Sequence, residues 1–455
     1  MTVMMCVDDK LQPLPRLDNL VVGLGATGLS VARHLAARGE NFAVVDSRAQ
    51  PPGLAALQRE LQPDEVYFGS FDRRLFLRAK RLIVSPGVSL SSPAIAEARA
   101  AGAEVIGDVE LFARLNRAPV VAITGSNGKS TVTTLLGAMA QTAQWNVAVG
   151  GNLGTPALDL LSEQPQDLVV LELSSFQLEA IESLAPRAAV VLNLSPDHMD
   201  RYASFEAYAQ AKGRIYAKAE HCVVNREDRP AAALSGHRDC VSFGLDEPQR
   251  EHDYGLRQHA GAQWFVRGSR PLLPVAGLRI AGRHNLANAL AALALGEAAG
   301  LPLAAMLDAV RNFPGLPHRC QWIGTRDGVD WFDDSKGTNV GATVAAVAGL
   351  EGTLVLLAGG QGKGQDFTPL RDTLAGRARA VVLLGEAAPE LRKVLAGVTE
   401  LIDAADMESA VSAAQAAAQP GDRVLLSPAC ASLDMFTNYV ARGEAFVKAF
   451  RSLRS

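Results

Sequence analysis

Val120-Val-Ala-Ile-Thr-Gly-Ser-Asn-Gly-Lys-Ser-Thr131 is the stretch on which the reading of this chain turns. An apolar, β-branched run passes into a glycine loop, and Thr131-Val-Thr-Thr-Leu-Leu136 continues as a helix. A buried strand, a tight loop and a helix amino end together make a phosphate cradle, because the loop N–H groups and the helix dipole both face the anion. Gly125, Ser126, Asn127 and Gly128 supply the loop, Lys129 neutralises phosphate charge, and Ser130 and Thr131 add hydroxyls, with Ser130 suited to Mg²⁺. The strict motif places a glycine five positions before Gly128, where this chain has Ile123, so the loop is a variant that needs support from its surroundings.

Support comes from the next apolar strands. Glu172 sits within Leu168-Val-Val-Leu-Glu-Leu-Ser-Ser175, and a carboxylate there is costly to bury unless a cation or donor meets it. An Mg²⁺ shared with the phosphates is one partner; an arginine from elsewhere in the chain is the other. His198, in Asn193-Leu-Ser-Pro-Asp-His-Met-Asp-Arg-Tyr202, again follows an apolar run. Its place between Asp197 and Asp200 leaves a metal or substrate role open beside a structural one.

Working outward, short β-branched runs alternate with Ala/Leu-rich helical runs, the pattern of parallel α/β sheets. Three blocks are expected: 1–109, 110–314 and 315–455. Strands are expected near Leu20–Leu24, Ala43–Asp46 and Arg81–Ser85 in the first, and at Asp167–Ser175 and Ala188–Leu194 in the second. The third should carry strands at Thr353–Ala358, Ala380–Leu384 and Arg423–Ser427. Val109–Asn116 reads as a connector, and residues 221–275 as a polar, irregular insertion. In such sheets ligands gather beyond the carboxyl ends of the strands, where nearly every polar cluster of this chain falls. The first block opens with Leu20-Val-Val-Gly-Leu-Gly-Ala-Thr-Gly-Leu-Ser30, strand to tight turn to helix, with Asp46 ending the next strand. NAD, another nucleotide or packing alone all suit that turn.

Composition narrows the classes. Net charge is −4 with no dense basic block, which argues against nucleic acid or an anionic membrane as partner. Five cysteines (Cys6, Cys222, Cys240, Cys320 and Cys430) lie far apart without CxxC spacing, so neither a disulfide framework nor a zinc site is indicated, and a cytoplasmic protein is expected. Met1 to Lys10 lacks the apolar run of a signal peptide. Leu286–Leu301 is interrupted by Asn288, Gly296 and Glu297 and reads as a packed helix, not a membrane span.

Taken together, GLGATGLS, TGSNGKST, GGNLG, ELSSFQLE, DHMDRY, GRHNLAN, LPHRC, DDSKGTN, GGQGKG and LLSPACASLD, in that order, resemble the Mur ligases of peptidoglycan precursor synthesis over nearly the whole chain. The resemblance implies an N-terminal Rossmann-like domain, a central P-loop ATPase-like domain with a mostly parallel sheet, and a C-terminal Rossmann-like domain. It implies that the first block binds a uridine nucleotide, not NAD, through Ala26, Thr27, Asp46, Ser47, Arg48 and Gly87, with Asn152 near the substrate sugar. Asn285, Asn288, Arg319 and Asp334 would surround ATP. Lys336, Thr338, Lys363, Ser432 and Leu433 would line an amino-acid site with Tyr439 at its edge; lysines and hydroxyls suit the two carboxylates of D-glutamate. Tyr439, Ser47 and Gly337 depart mildly from the family, which has Phe, Thr and Ala there. The activity implied is ATP-dependent addition of D-glutamate to UDP-N-acetylmuramoyl-L-alanine through an acyl phosphate, by a monomer. Two Mg²⁺ ions are expected, with Ser130 and Glu172 holding the first and His198 and Lys212 the second. Lys129, Glu172, His198 and Lys212 are the expected catalytic residues.

Lys212 enters by two routes. Helical spacing puts Phe205, Tyr208, Lys212, Ile215 and Tyr216 on one face, so the lysine points inward with apolar neighbours. Desolvation then favours the neutral amine, which can add CO₂ to give a carbamate, an anionic oxygen ligand suited to Mg²⁺. In the family resembled, the matching lysine is carbamylated. Alternatives are another Mur-type or a folylpolyglutamate-type ligase, an NAD-dependent oxidoreductase read from the first turn, and a nucleotide-switched binding protein. Folylpolyglutamate synthases need no N-terminal GxGxTGxS domain, and TGSNGKST argues against the oxidoreductase.

Overall fold

A computed structural model describes residues 16–236, 238–280 and 282–453, so Cys6 and the segment before Leu11 lie outside the described residues. Three sheets follow one another along the chain. The first has five parallel strands in the order Glu65–Phe68, Phe42–Asp46, Leu17–Val22, Ala79–Val84 and Glu104–Ile106. The apolar runs of the three central strands are buried on both faces, as a parallel sheet sandwiched by helices requires. Val22 and Val84 end side by side, which brings the glycine turn after the first strand against Ser85-Pro86-Gly87.

The second sheet has nine strands. Val120–Thr124 lies between Leu168–Glu172 and Ala188–Val191. The glycine loop, Glu172 and the His198 loop therefore leave the sheet at one edge, all at carboxyl ends. The polar segment expected as an insertion continues this sheet: His221–Asn225, Val241–Phe243 and Tyr254–His259 add in parallel, and Ala262–Arg267 and Arg270–Pro274 close it as antiparallel strands. Its outer strands are partly exposed, so their side chains alternate in polarity and the buried-strand signature is lost.

The third sheet has six strands, ordered Gln321–Arg326, Val329–Asp333, Arg423–Leu426, Leu354–Gly359, Ala378–Leu384 and Glu400–Asp403, with only the first antiparallel. The expected α/β class with mostly parallel sheets holds throughout. The expected connector is instead a helix, Asp108–Leu115, which the boundary drawn at 109 crosses. Val109, Leu111 and Phe112 are buried, and Glu110 accepts from the N–H groups of Glu182 and Ser183 and from the Ser183 hydroxyl. Leu286–Leu301 is indeed mostly a packed helix, Arg283–Ala299, and none of the described helices is long and apolar enough to cross a membrane.

Candidate active site

The phosphate loop is held rigidly from below. The Thr124 hydroxyl donates to the Leu173 carbonyl, and Asn193 accepts from the Asn127 N–H at 2.8 Å while donating to the Asn127 carbonyl at 2.9 Å. Gly128 has φ +84°, and a Cβ there would stand 2.3 Å from Asn288 Oδ1, so glycine is required on both counts. The helix Lys129–Thr142 begins immediately after. Lys129 folds back over the loop, its Nζ donating to the carbonyls of Gly125 (2.8 Å) and Ser126 (2.9 Å), and burial lowers its pKa.

Lys212 lies beneath the same loop. The inward face read from helical spacing is present: Tyr208, Lys212, Ile215 and Tyr216 are all buried. Lys212 Nζ also donates to the Gly125 carbonyl, at 2.9 Å, so two lysine amines converge on one oxygen. Burial first, and the Lys129 charge second, hold the Lys212 amine well below its ordinary value. Lys212 does not line the cavity above the loop.

That central cavity, about 920 Å³, is walled by Ser126 to Ser130, Asn152, Glu172, His198, Arg319, Lys336, Thr338, Lys363 and Tyr439. Glu172 is 2% exposed; its Oε1 accepts from Asn152 Nδ2 at 2.8 Å, and its Oε2 is buried with no hydrogen-bond partner. The arginine partner considered for it does not materialise among the described residues. An unpartnered anionic oxygen beside a phosphate loop fits a cation. Among the described residues no cluster of three or more His, Cys, Asp or Glu could hold a metal; Mg²⁺ is commonly held by one or two carboxylates together with substrate phosphates and water. His198 stands in a left-handed conformation (φ +57°), its ring edge-on to Phe176 at 5.0 Å. Burial lowers its pKa against the opposing pull of Asp197, which favours neutral imidazole.

A second cavity, about 300 Å³, opens on the other side of the loop. It is lined by Asn127, Gly128, Thr131, Asn285, Asn288, Arg319 and Asp334, all expected, and by Asn193, Asn225, Phe243 and His284, which were not. Asn225 and Phe243 end the adjacent strands His221–Asn225 and Val241–Phe243, in the segment read as irregular. Arg319 crosses from the third block to donate to Ser130 Oγ at 2.7 Å. Burial pushes Asp334 up to about 7, against hydrogen bonds from Ser427 Oγ and the Cys320 N–H.

The glycine turn forms a third cavity, about 560 Å³, lined by Ala26, Thr27, Asp46, Ser47, Arg48, Gly87, Asn152 and Gln177. Gly28 cannot be replaced, since a Cβ would fall 1.9 Å from the Gly23 carbonyl. Asp46, expected only as a ligand acceptor, is committed to the protein: Oδ2 accepts from the Leu24 N–H and Arg48, and Oδ1 from the Arg48 N–H and Nε. Burial alone would raise its pKa, but these donors more than offset that and lower it.

Among the residues expected to line the amino-acid site, Lys336 Nζ lies 4.0 Å above the Tyr439 ring, and burial brings its pKa down to about 8. Ser432 is buried and Leu433 is 64% exposed; neither lines the cavity. Arg442, unnoticed in the sequence, is 2% exposed and joins the two loops concerned, donating to Ser335 Oγ, the Ser335 carbonyl and the Cys430 carbonyl.

A phosphate loop flanked by a buried carboxylate, cationic side chains and two nucleotide-sized cavities defines a phosphoryl-transfer enzyme of the P-loop type acting on a large anionic substrate. Family descriptions then match along the chain: Mur ligase MurD-like N-terminal domain over residues 18–107, Mur ligase middle domain over 123–296, and Mur ligase glutamate ligase domain over 318–430. The chain belongs to the Mur ligase family. It is 56% identical to a UDP-N-acetylmuramoylalanine–D-glutamate ligase of Nitrosococcus oceani, across 99% of this chain and 100% of that one. To the enzyme of the same name from Pseudomonas fluorescens it is 52% identical, across 95% and 98%. Among solved structures, the fold is similar to MurF of Thermotoga maritima in complex with ADP (TM-score 0.60, 16% identity, 96% and 95% covered) and to MurC of the same organism (TM-score 0.59, 20% identity, 96% and 100% covered).

Proposed function

We propose that this chain is an ATP-dependent ligase that joins UDP-N-acetylmuramoyl-L-alanine to D-glutamate, releasing ADP and phosphate, in peptidoglycan precursor synthesis. One observation carries the reading: the three cavities adjoin, with walls in common. Asn152 and Gly154 line both the glycine-turn and central cavities, and Asn127, Gly128, Arg319 and Lys336 line both the central and phosphate-loop cavities. A substrate anchored by its uridine diphosphate at the glycine turn can thus present its far carboxylate where ATP presents its γ-phosphate. Identity above 50% to relatives bearing that activity in their names supports the same substrates.

A carboxylate is a poor electrophile. Its oxygen attacks the γ-phosphorus, ADP leaves, and the resulting acyl phosphate is attacked at carbon by the D-glutamate amine; phosphate departs with the C–O bonding pair and the amine loses a proton. The protein's share is positioning and charge. Gly125 to Gly128 present backbone amides, and Lys129, Ser130 and Thr131 hold the phosphates. Ala26, Thr27, Ser47, Arg48 and Gly87 hold the uridine nucleotide, with Asp46 fixing Arg48, and Asn152 orients the sugar while holding Glu172. Asn285, Asn288, Arg319 and Asp334 take ATP. Lys336, Thr338 and Lys363 receive the D-glutamate carboxylates, with Tyr439 at the edge of that site and Ser432 and Leu433 outside the cavity lining. Ser130 and Glu172 would hold one Mg²⁺, and His198 with Lys212 as a carbamate a second. Such ions supply charge neutralisation on the transferring phosphoryl oxygens. Two amines on one carbonyl cannot both stay charged at low cost, which supports a neutral, CO₂-reactive Lys212.

We read residues 1–109, 110–314 and 315–455 as the uridine-nucleotide, ATP and amino-acid units. We read it as a monomer working in the cytoplasm, where ATP is available. The test is ADP release with UDP-N-acetylmuramoyl-L-alanine across amino acids. D-Glutamate should be required and L-glutamate inert; equal turnover with L-glutamate, or better turnover with meso-diaminopimelate, would sink the assignment.

A further inference from the structure

We infer that Arg201 is a positioning residue that fixes the uridine end of the substrate relative to its reacting carboxylate; the inference rests on the function proposed above. Arg201 stands three residues after His198, and its N–H donates to the His198 carbonyl at 2.9 Å. Its guanidinium leaves its own unit altogether. One terminal nitrogen donates to the Pro86 carbonyl at 2.7 Å and the other to the Val88 carbonyl at 3.0 Å. Pro86, Gly87 and Val88 form a wall of the glycine-turn cavity. That wall is tied to the glycine turn itself, because Ser85 Oγ donates to the Gly23 carbonyl at 2.9 Å.

The same guanidinium lies 3.9 Å over the Phe176 ring. Phe176 meets the His198 ring at 5.0 Å and stacks on Tyr202 at 5.8 Å. One rigid, planar cation therefore touches the wall of the uridine cavity and the ring against which His198 rests in the central cavity. A fork with two fixed donors sets both distance and angle between these walls; an ammonium cannot satisfy both carbonyls with the same geometry. Binding energy gained at the uridine diphosphate then becomes available to orient the carboxylate, the form of remote binding that raises kcat.

A purely structural clamp would make a different pattern, and acceptor truncation separates the two. Turnover is measured for wild type, R201A and R201K with UDP-N-acetylmuramoyl-L-alanine and with N-acetylmuramoyl-L-alanine, which lacks the anchor. With the intact acceptor, R201A should lose about ten- to a hundredfold in kcat, whereas the truncated acceptor should change by no more than about twofold. R201K should recover only a minor part. Equal losses on both acceptors, a loss confined to KM, or full rescue by R201K would overturn the inference. Should R201A fail to fold, R201K and F176L, which each weaken one side of the strut, must show the same selective loss on the intact acceptor. Wild type inert on the intact acceptor would instead remove the proposed function, and this inference with it.

Discussion

Replacing Lys336 by methionine asks whether the amino-acid end of the site is held at a loss of stability. Lys336 follows the strand Val329–Asp333 on the loop that Arg442 grips through Ser335. Burial, then the Arg319 and Lys129 charges, bring its pKa from 10.5 to about 8, with Glu172 opposing and Lys363 adding to the fall. A lysine so displaced corresponds to about 3 kcal/mol. Because the group faces a cavity, screening reduces this to about 1–3 kcal/mol. Losing the contact with the Tyr439 ring returns about 0.5–1 kcal/mol. Methionine keeps the apolar stem, so K336M should melt higher than wild type at pH 7, by about 2–6 °C. The folded pKa lies below the unfolded one, so the penalty is full below about pH 8, fades as pH rises from 8 toward 10.5, and is gone above. Thermal unfolding at pH 7 and pH 10, beside ADP release with D-glutamate, tests this. K336M should be inert yet more stable at pH 7, with its advantage shrinking at pH 10. A variant that melts at or below wild type at pH 7, or keeps its whole advantage at pH 10, refutes the reasoning.

Lys129→Ala should lose turnover by about three orders of magnitude or more, with a melting point at or slightly above wild type, since a buried cation is removed; an active variant would make the loop merely structural. Glu172→Gln keeps an oxygen for Asn152 but removes the buried charge. It should leave the free protein as stable as wild type and abolish the extra stabilisation that Mg²⁺ adds to ATP in a thermal-shift titration; an undiminished Mg²⁺ effect would exclude Glu172 as its holder. Lys212→Ala should fold, lose nearly all turnover and regain part with acetate, and wild type equilibrated with ¹³C-bicarbonate should show a carbamate carbon by NMR that the variant lacks. Near-normal turnover in the variant, with no such resonance in wild type, would remove the carbamate.

The phosphate loop, Glu172 and the glycine turn were legible because each rests on a local rule: an apolar strand run followed at once by residues no core would choose. The Lys212 face was legible for the same reason, through helical spacing alone. Asn225 and Phe243 were not, because the strands that carry them are only five and three residues long and merge into a polar, half-exposed edge. Asp108–Leu115 looked like a connector because it is short, and its helix is fixed by Glu110 reaching 72 and 73 residues along the chain to Glu182 and Ser183. Arg442 is invisible for a related reason, and Arg201, though it stands within DHMDRY, gives no sign of its role there. Their partners are backbone carbonyls, which every residue has, so no spacing in the sequence marks these contacts.

One physical feature unites the reaction centre and explains why its residues read as unusual. Lys129, Lys212, Arg319 and Lys336 all have lowered pKa values, and in each case burial is the first cause. Lys129 further depresses Lys212 and Lys336, and Arg319 depresses Lys129 and Lys336. Against this stand Glu172, with one oxygen unpartnered, and Asp334, whose burial raises its pKa to about 7. Burial, more than mutual repulsion, makes each of these charges costly, and Glu172, Asp197 and Asp334 offset part of that cost. Such an arrangement survives only because the surrounding sheets over-determine it, and it attracts anions strongly. In the function proposed above, triphosphate, the substrate carboxylate and a dicarboxylic amino acid would each bring negative charge to this set. An anion bound at one of these buried cations would also favour the charged form of its neighbours, which gives a physical reason for the substrates to be gathered at one point before any of them reacts.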